Sequence, residues 1–403
     1  MALMPVAEAL AHVLDGAEPL PAQAVPLGEA LGRVLAKDLV ALRTQPPDAV
    51  SAMDGYAVRA EDVAHAPVTL TVIGEVAAGH PFNGAVGPEQ AARIFTGGVL
   101  PPGADAIVIQ ENTTRERERV TVQAVVKPGR NVRRAGLDFS RGDVLLRRSH
   151  RLTARDLMLA AAMNYPAVPV HRRAKVGVLA TGDELVPPGS QPGPGEIVYS
   201  NGFGLSALAR SEGAEVLDLG IARDRIDATA AAIRRAREAQ CDVLVTMGGA
   251  SVGDHDVVQQ ALAAEGLALA FWKIALRPGK PMMHGRLGGM AVLGLPGNPV
   301  SSFVCAVLFL VPLLRRLAGR LDISAEMQDA VLGHGLPEND ERADYLRSTL
   351  VEGPDGEPIA TPLPLQDSSM MAPLARANCL LIREPHAPAA PAGSPCRILK
   401  LGT

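Results

Sequence analysis

Between about residues 173 and 320 the chain alternates hydrophobic runs with amphipathic ones, and this rhythm restricts the fold more than any other feature. KVGVLA, EVLDLGI and DVLVTM read as strands, while Asn201–Glu212 and Asp227–Ala239 have the apolar spacing of helices. Hydrophobic strands alternating with helices make βαβ units, which build a mostly parallel sheet covered on both faces. This part of the chain is therefore expected to be an α/β domain.

The flanks have other rhythms. Pro5–Leu14 and Leu27–Val34 show helical apolar patterns, and RTQPPDAVSAMDGYAV is extended and broken by proline. From Val68 to Val126, short β-like runs (VTLTVIGEV, ARIFTG, DAIVIQE, RVTVQAVV) alternate with Gly and Pro turns, which predicts a compact β domain. NVRRAGLDFSRGDVLL reads as extended with a turn at Arg141-Gly142, and Thr153 as the N-cap of a helix through Met163. After Leu321, short strands, prolines and a turn at Gly353–Gly356 predict a small β-barrel-like domain. At 403 residues the chain is too long for one core. The fold class is α/β plus β, multidomain.

Composition narrows the function. A net charge of −4 excludes the broad basic surface of a nucleic-acid binder, so an anionic ligand needs a local cluster of cations. Cys241, Cys305, Cys379 and Cys396 have no C-x-x-C spacing and read as reduced thiols. The N-terminus has acids within its apolar stretch and no basic leader. The run Phe303–Leu314 is shorter than the ~20 residues of a bilayer span and reads as a buried helix ending at Arg315-Arg316. A cytoplasmic protein without a membrane segment is the expectation.

Three loops follow predicted strands: Thr181–Glu184, Gly248–Asp256 and Gly294–Pro299. Open parallel sheets bind ligands outside the carboxyl ends of their strands, so the three could share one crevice. In GGASVGD, glycines and Ser251 precede a helix, where backbone N–H groups can approach a phosphate; such turns also occur for packing alone. In LGLPGNPVSS, Pro296 and Pro299 stiffen the turn, Gly297 permits an unusual backbone angle, and Asn298 could cap the next helix. If KIALR is a strand, Lys273 and Arg277 share a face, with Lys280 beyond the Pro278-Gly279 turn. Three converging cations would make an anion site; a solvated charged edge is the plainer alternative. Asp183, Glu184, Asp224, Asp254 and Asp256 would repel a phosphate unless a cation such as Mg²⁺ intervened. Together these features point to metal-assisted chemistry on a phosphoanhydride, without naming a substrate. His255, with no partner at a useful spacing, is a loop histidine.

Seven motifs in order resemble the MoeA/gephyrin E-domain family, the molybdopterin molybdenumtransferases: SAMDGYAV, IFTGGVLPPGADAIV, GRNVRRAGLDF, TGDEL, GGASVGDHD, FWKIALRPGKP and GLPGNPVSS. The resemblance implies insertion of molybdate into adenylyl-molybdopterin, with Mg²⁺ assisting and AMP released. It implies an elongated N-terminal domain (1–45 and 135–172), an inserted β domain (46–134), a MogA-like α/β domain (173–320) and a C-terminal β domain (321–403). It also implies a homodimer whose active site joins the α/β domain of one subunit to the inserted domain of the other. Asp54 and Thr96 would reach into the partner's cleft, while Glu184, Asp224 and Asp256 would bind metal or ligand. Thr181, Gly182, Asp183, Gly248, Gly249, Ser251, Gly253, Pro296, Gly297, Asn298, Pro299 and Ser368 would hold the pterin cofactor. Lys273, Arg277 and Lys280 would bind molybdate or the anhydride, and Arg347 matches a less distinctive position. Other molybdenum-cofactor biosynthesis proteins would be partners, whereas nucleic acid and membrane would not.

The sequence departs from the family pattern at Arg277, where many relatives have Lys, at Val257, where an aromatic is usual, and at Leu137 in place of an acid. Two rival readings are the related adenylyltransferase, which resembles only the α/β domain, and a molybdopterin-binding scaffold or carrier. A scaffold would tolerate loss of Asp54, Glu184, Asp256 and Lys273, and all four are present.

Overall fold

The computed structural model describes residues 3–248 and 257–402. The chain divides into two compact units, residues 24–31 with 37–169, and residues 1–23 with 32–36 and 170–403.

The smaller unit is built on a six-stranded sheet. Its strand order is Ala106–Ile109, Gly55–Val58, Gln90–Ile94, Val68–Val76, Arg119–Val122 and Thr113–Glu116. Side chains alternate across a strand, and both faces here are apolar. Tyr56, Val58, Ala91 and Val108 enter one core, and Ala57, Ala92, Ile94 and Ile107 the other. Gly55 has no alternative at its position, because a Cβ there would overlap the Val108 carbonyl oxygen. The helix expected from Thr153 runs Ala154–Ala162, with the Asp156 carboxylate accepting from both the Thr153 N–H and hydroxyl. The helix expected over Leu27–Val34 does not form as such: only the 3₁₀ turn Leu27–Glu29 is present. Pro26 precedes it, and Gly32 has a φ of 72°, so the apolar spacing there is not continued by the backbone.

The larger unit contains the α/β sheet, ordered Glu215–Ala222, Lys175–Thr181, Val243–Met247, Met290–Leu295, Met283–Leu287 and Ala268–Trp272. The first three pairings are parallel and the last two antiparallel, a hairpin added to a parallel sheet. Val178, Val245 and Leu293 pack beneath Leu205, Val304 and Phe309, while Leu179, Leu244 and Val292 pack under Ile233 and Leu262. Both faces are therefore covered, as the continuous hydrophobic runs require.

The apolar run after Pro299 is longer than its sequence suggested. A continuous helix spans Pro299–Leu317, 19 residues with a mean hydropathy of 1.9, and 83% of its apolar window is buried. Length alone would let it cross a bilayer; its burial beneath the sheet makes it a core helix. It contains a π turn at Ala306–Leu310, one residue before Pro312. Proline lacks an N–H and its ring crowds the carbonyl four residues back, which the wider turn relieves.

Beyond it, Ala343–Glu352, Pro358–Pro362, Met327–Leu332, Pro395–Lys400 and Cys379–Arg383 pair in sequence, and the last pairs back to the first. This closes a five-stranded barrel with no free edge. Gly356, at a φ of 78°, turns the hairpin between its first two strands. One additional strand, Leu276–Arg277, leaves the α/β segment and pairs with Ala343–Asp344 of the barrel.

Candidate functional site

Each of the four parallel strands delivers candidate residues at its carboxyl end. Thr181 leads into Gly182, Asp183 and Glu184; Ala222 into Arg223 and Asp224; Met247 into Gly248; Leu295 into Pro296, Gly297 and Asn298. The chain leaves Lys175–Thr181 toward Glu215–Ala222 on one side and returns to Val243–Met247 on the other. The crevice at such a reversal is where open sheets bind ligands.

The backbones are close at this point. Gly248 has a φ of 89°, and a Cβ on it would lie 2.7 Å from the Thr181 carbonyl oxygen. A Cβ on Gly297 would lie 3.7 Å from the Gly248 Cα. Asn201 donates to the Gly297 carbonyl at 2.7 Å and fixes the proline-bounded turn. A cavity of about 320 Å³ opens here, with Thr181, Glu184, Gly248, Gly297, Asn298 and Pro299 in its wall. Ile197, Val198 and Met371 add an apolar side. A pocket of this size, mostly apolar with a few convergent polar groups, is the form expected for a small organic ligand.

At the next pair of strand ends, two acids face one another. The Asp183 N–H donates to Asp224 Oδ2 and the Asp224 N–H to Asp183 Oδ1, each at 3.3 Å. Arg223 donates to the Asp183 carbonyl at 3.0 Å. Among the described residues, no three His, Cys, Asp or Glu side chains form a ready metal cage. Gly249, Ser251, Gly253 and Asp256, together with Asp254 and His255, lie outside the described residues.

The C-terminal barrel reaches the same cavity. Asn298 Nδ2 donates to Ser368 Oγ at 2.8 Å, and the Val300 N–H donates to the Ser368 carbonyl at 3.1 Å. The expected side-chain cap by Asn298 is not made. Its amide is engaged by Ser368, while only its carbonyl serves the helix by accepting from the Ser302 N–H. The loop bearing Ser368 is tied from within by Arg347, whose two terminal nitrogens donate to the Asp367 and Leu365 carbonyls at 3.0 Å. Arg347 is buried, and loss of hydration lowers its pKa from the usual arginine value.

The cation cluster is arranged differently from the expectation. KIALR is not one strand: Ala268–Trp272 ends before Lys273, which has a φ of 78°, and Leu276–Arg277 belongs with the barrel. Lys273 and Arg277 therefore do not share a strand face. Arg277 donates to Asp340 at 2.7 Å and to Asn339 at 2.9 Å, and it forms an ion pair with the buried Asp344. Its hydrogen bond to Asp344 is the main cause of its raised pKa. With its donors turned to these acceptors, Arg277 is an anchor to the barrel, and we do not assign it to anion binding. Lys273 and Lys280 stay together, because the Ile274 N–H donates to the Lys280 carbonyl at 3.0 Å. Lys273 Nζ lies 5.1 Å from the Trp272 ring centre. The exposed Lys280 has no side-chain partner among the described residues. Neither lysine lines the cavity.

In the smaller unit, Asp54 precedes the strand Gly55–Val58 and Thr96 follows Gln90–Ile94. Asp54 Oδ1 accepts from both the Thr96 N–H and its hydroxyl, at 2.8 Å each. The Thr96 N–H bond, then the hydroxyl bond, then the charge of Arg93 hold the carboxyl below the ordinary aspartate range.

Known families match the chain in three successive parts. Residues 4–164 match the MoeA N-terminal region (domain I and II), 177–316 a probable molybdopterin binding domain, and 329–401 the MoeA C-terminal region (domain IV). The chain belongs to the MoeA family. It is 36% identical over 360 residues to the Haemophilus influenzae protein named molybdopterin molybdenumtransferase, covering 89% of this chain and 88% of that one. The Bacillus subtilis protein of the same name is 35% identical, with 94% and 90% covered. Two structures of the molybdopterin biosynthesis MoeA protein from Pyrococcus horikoshii superpose with TM-scores of 0.87 and 0.82, at 31% and 30% identity. They cover 100% and 99% of this chain and all of each matched chain.

For this MoeA-family chain, the sequence missed part of the cavity wall. Asn201, Ile197 and Met371 lie in segments whose spacing carries no chemical signature. The amide at position 201, at the very start of a helical pattern, was the one available hint.

Proposed function

We propose that the crevice between Thr181, Gly248 and Gly297 binds adenylyl-molybdopterin and that the protein transfers molybdenum from molybdate into its dithiolene, releasing AMP. As a member of the MoeA family the chain is a transferase of molybdenum-cofactor biosynthesis. The observation that carries the substrate reading is the 320 Å³ cavity at the sheet's reversal point, with an apolar wall and close backbone approach.

The parts divide the work. Ile197 and Met371 offer an apolar side to a ring. Lys273 and Lys280, which stand outside the cavity wall, would supply positive charge for a molybdate dianion or a phosphoanhydride that extends beyond it. Thr96 keeps Asp54 ionised, which makes it a fixed hydrogen-bond acceptor. Glu184 and Asp224 are the described carboxylates that would hold Mg²⁺, which is commonly bound by one or two carboxylates together with substrate phosphates. When bound, it would neutralise charge on the anhydride. Asp256 joins this set by its place in the motif.

The protein acts in the cytoplasm as a homodimer, with Asp54 and Thr96 serving the α/β cleft of the other copy. The test measures AMP release from adenylyl-molybdopterin with and without molybdate. Molybdate-dependent release with formation of active cofactor is expected; tight binding without turnover would favour the carrier reading. Mixed dimers of Asp54→Ala and Glu184→Ala subunits should recover part of the activity that each lacks alone. No recovery in verified mixed dimers would rule out the shared site.

A further inference from the structure

Arg93, whose charge helps to hold the Asp54 carboxyl low, stands one strand away from Asp54. It sits on Gln90–Ile94, directly opposite Tyr56 of Gly55–Val58. Its guanidinium lies 5.2 Å from the Tyr56 ring centre and 4.8 Å from that of Phe95, so two aromatic faces limit its movement. Its two terminal nitrogens then diverge. One donates to the Gly55 carbonyl at 3.2 Å, and the other to Gln110 Oε1 at 2.7 Å. Gln110 in turn donates its own N–H to the Asp54 carbonyl at 3.1 Å.

We propose that Arg93 is a positioning residue for Asp54: its fork braces the carbonyl of the next residue, Gly55, and, through Gln110, the Asp54 carbonyl itself. The proposal rests on the role given to Asp54 above. A stacked arginine that served packing alone would not need these two divergent acceptors. Lysine could keep the charge but not the fork, because a single ammonium on a flexible stem does not reproduce a planar pair of donors. Thr96 lies three residues on, just past the end of the same strand, so the segment that carries the brace also carries both donors to the Asp54 carboxylate. Among the described residues, Arg93 is the charged group that acts on that carboxylate.

The test uses the full-length protein with Arg93→Lys, Arg93→Gln and Gln110→Ala. The Asp54 carboxyl is titrated by NMR with carbon-labelled aspartate, and AMP release is followed against pH. Arg93→Gln should raise the Asp54 midpoint, move the acid limb of the rate profile to higher pH, and lower kcat about tenfold with little change in KM. Arg93→Lys should keep the midpoint and still lose kcat. Gln110→Ala, which leaves the guanidinium in place, should lose a smaller part of kcat at an unchanged midpoint. An unchanged midpoint in Arg93→Gln, together with unchanged kcat in both Arg93→Lys and Gln110→Ala, would overturn the proposal. Should the wild type release no AMP, the reading of the site fails, and the Asp54 midpoint alone then decides whether Arg93 acts on this carboxylate. Should the Arg93 variants fail to fold, Gln110→Ala decides: an unaltered kcat sinks the brace.

Discussion

The Asp54 loop and the crevice of the α/β sheet hold their acids in contrasting ways. Asp54 receives two 2.8 Å hydrogen bonds on one oxygen, and its main chain is fastened by Gln110. Asp183 and Asp224 meet only through 3.3 Å contacts with each other's backbone, and both are exposed. The first is a fixed charge, ready before any ligand arrives. The second is a loose oxygen set, suited to a cation and a substrate that complete it. Preorganised groups help where charge develops during reaction, whereas adaptable ones suit ligands that bind and leave.

Arg277 offers the strongest way to sharpen this contrast. Arg277→Ala would strand the buried Asp344 without its cation, at a cost of about 2 kcal/mol once solvent screening of the partly exposed guanidinium is allowed for. Denaturant unfolding should show that loss while KM for molybdate stays near wild type. A raised KM with unchanged stability would return Arg277 to the anion site. Next, Thr96→Ala removes the hydroxyl bond to Asp54 and should reduce kcat roughly tenfold. Because the native pKa of Asp54 is depressed, its carboxylate persists to low pH; losing a donor raises that pKa, so the acid limb of activity should move to higher pH. An acid limb that stays put would mean the loop is no more fixed than the crevice. Lys280→Ala should raise KM for molybdate a few-fold, about 1 kcal/mol, with no change in melting temperature. The smallest effect is expected for Asn298→Ala: losing its bond to Ser368 should cost about 1 kcal/mol or less, read by thermal melting.

The legible parts of the molecule were those in which local pattern and global fold agree. Buried strands such as Val243–Met247 announce themselves by continuous apolar runs, and Gly248, Gly297 and Thr181 fall at their ends by position alone. KIALR misled because alternation assumes an uninterrupted strand. The backbone reverses its angle at Lys273, and the chain moves to another sheet before Arg277. Asn298 misled for a related reason: it occupies an N-cap position, yet a serine seventy residues away takes its side chain. Neither distant partner leaves a mark in a short window of sequence. Arg347 was reached only through family resemblance, and its buried bonds to a neighbouring loop explain its place there.

The short pairing of Leu276–Arg277 with the barrel bears on where this polypeptide could be divided. A chain cut near residue 320 looks like a clean excision on paper, because the helical rhythm stops there. It would leave one tiny strand without its hydrogen-bonding neighbour and one guanidinium without Asp340 and Asp344. The two lysines would then hang from a segment still held near its start by Met4 and Met282 but without its tie to the barrel. Swapping C-terminal halves between relatives should therefore succeed only when residues 273–280 travel with the barrel they are stitched to.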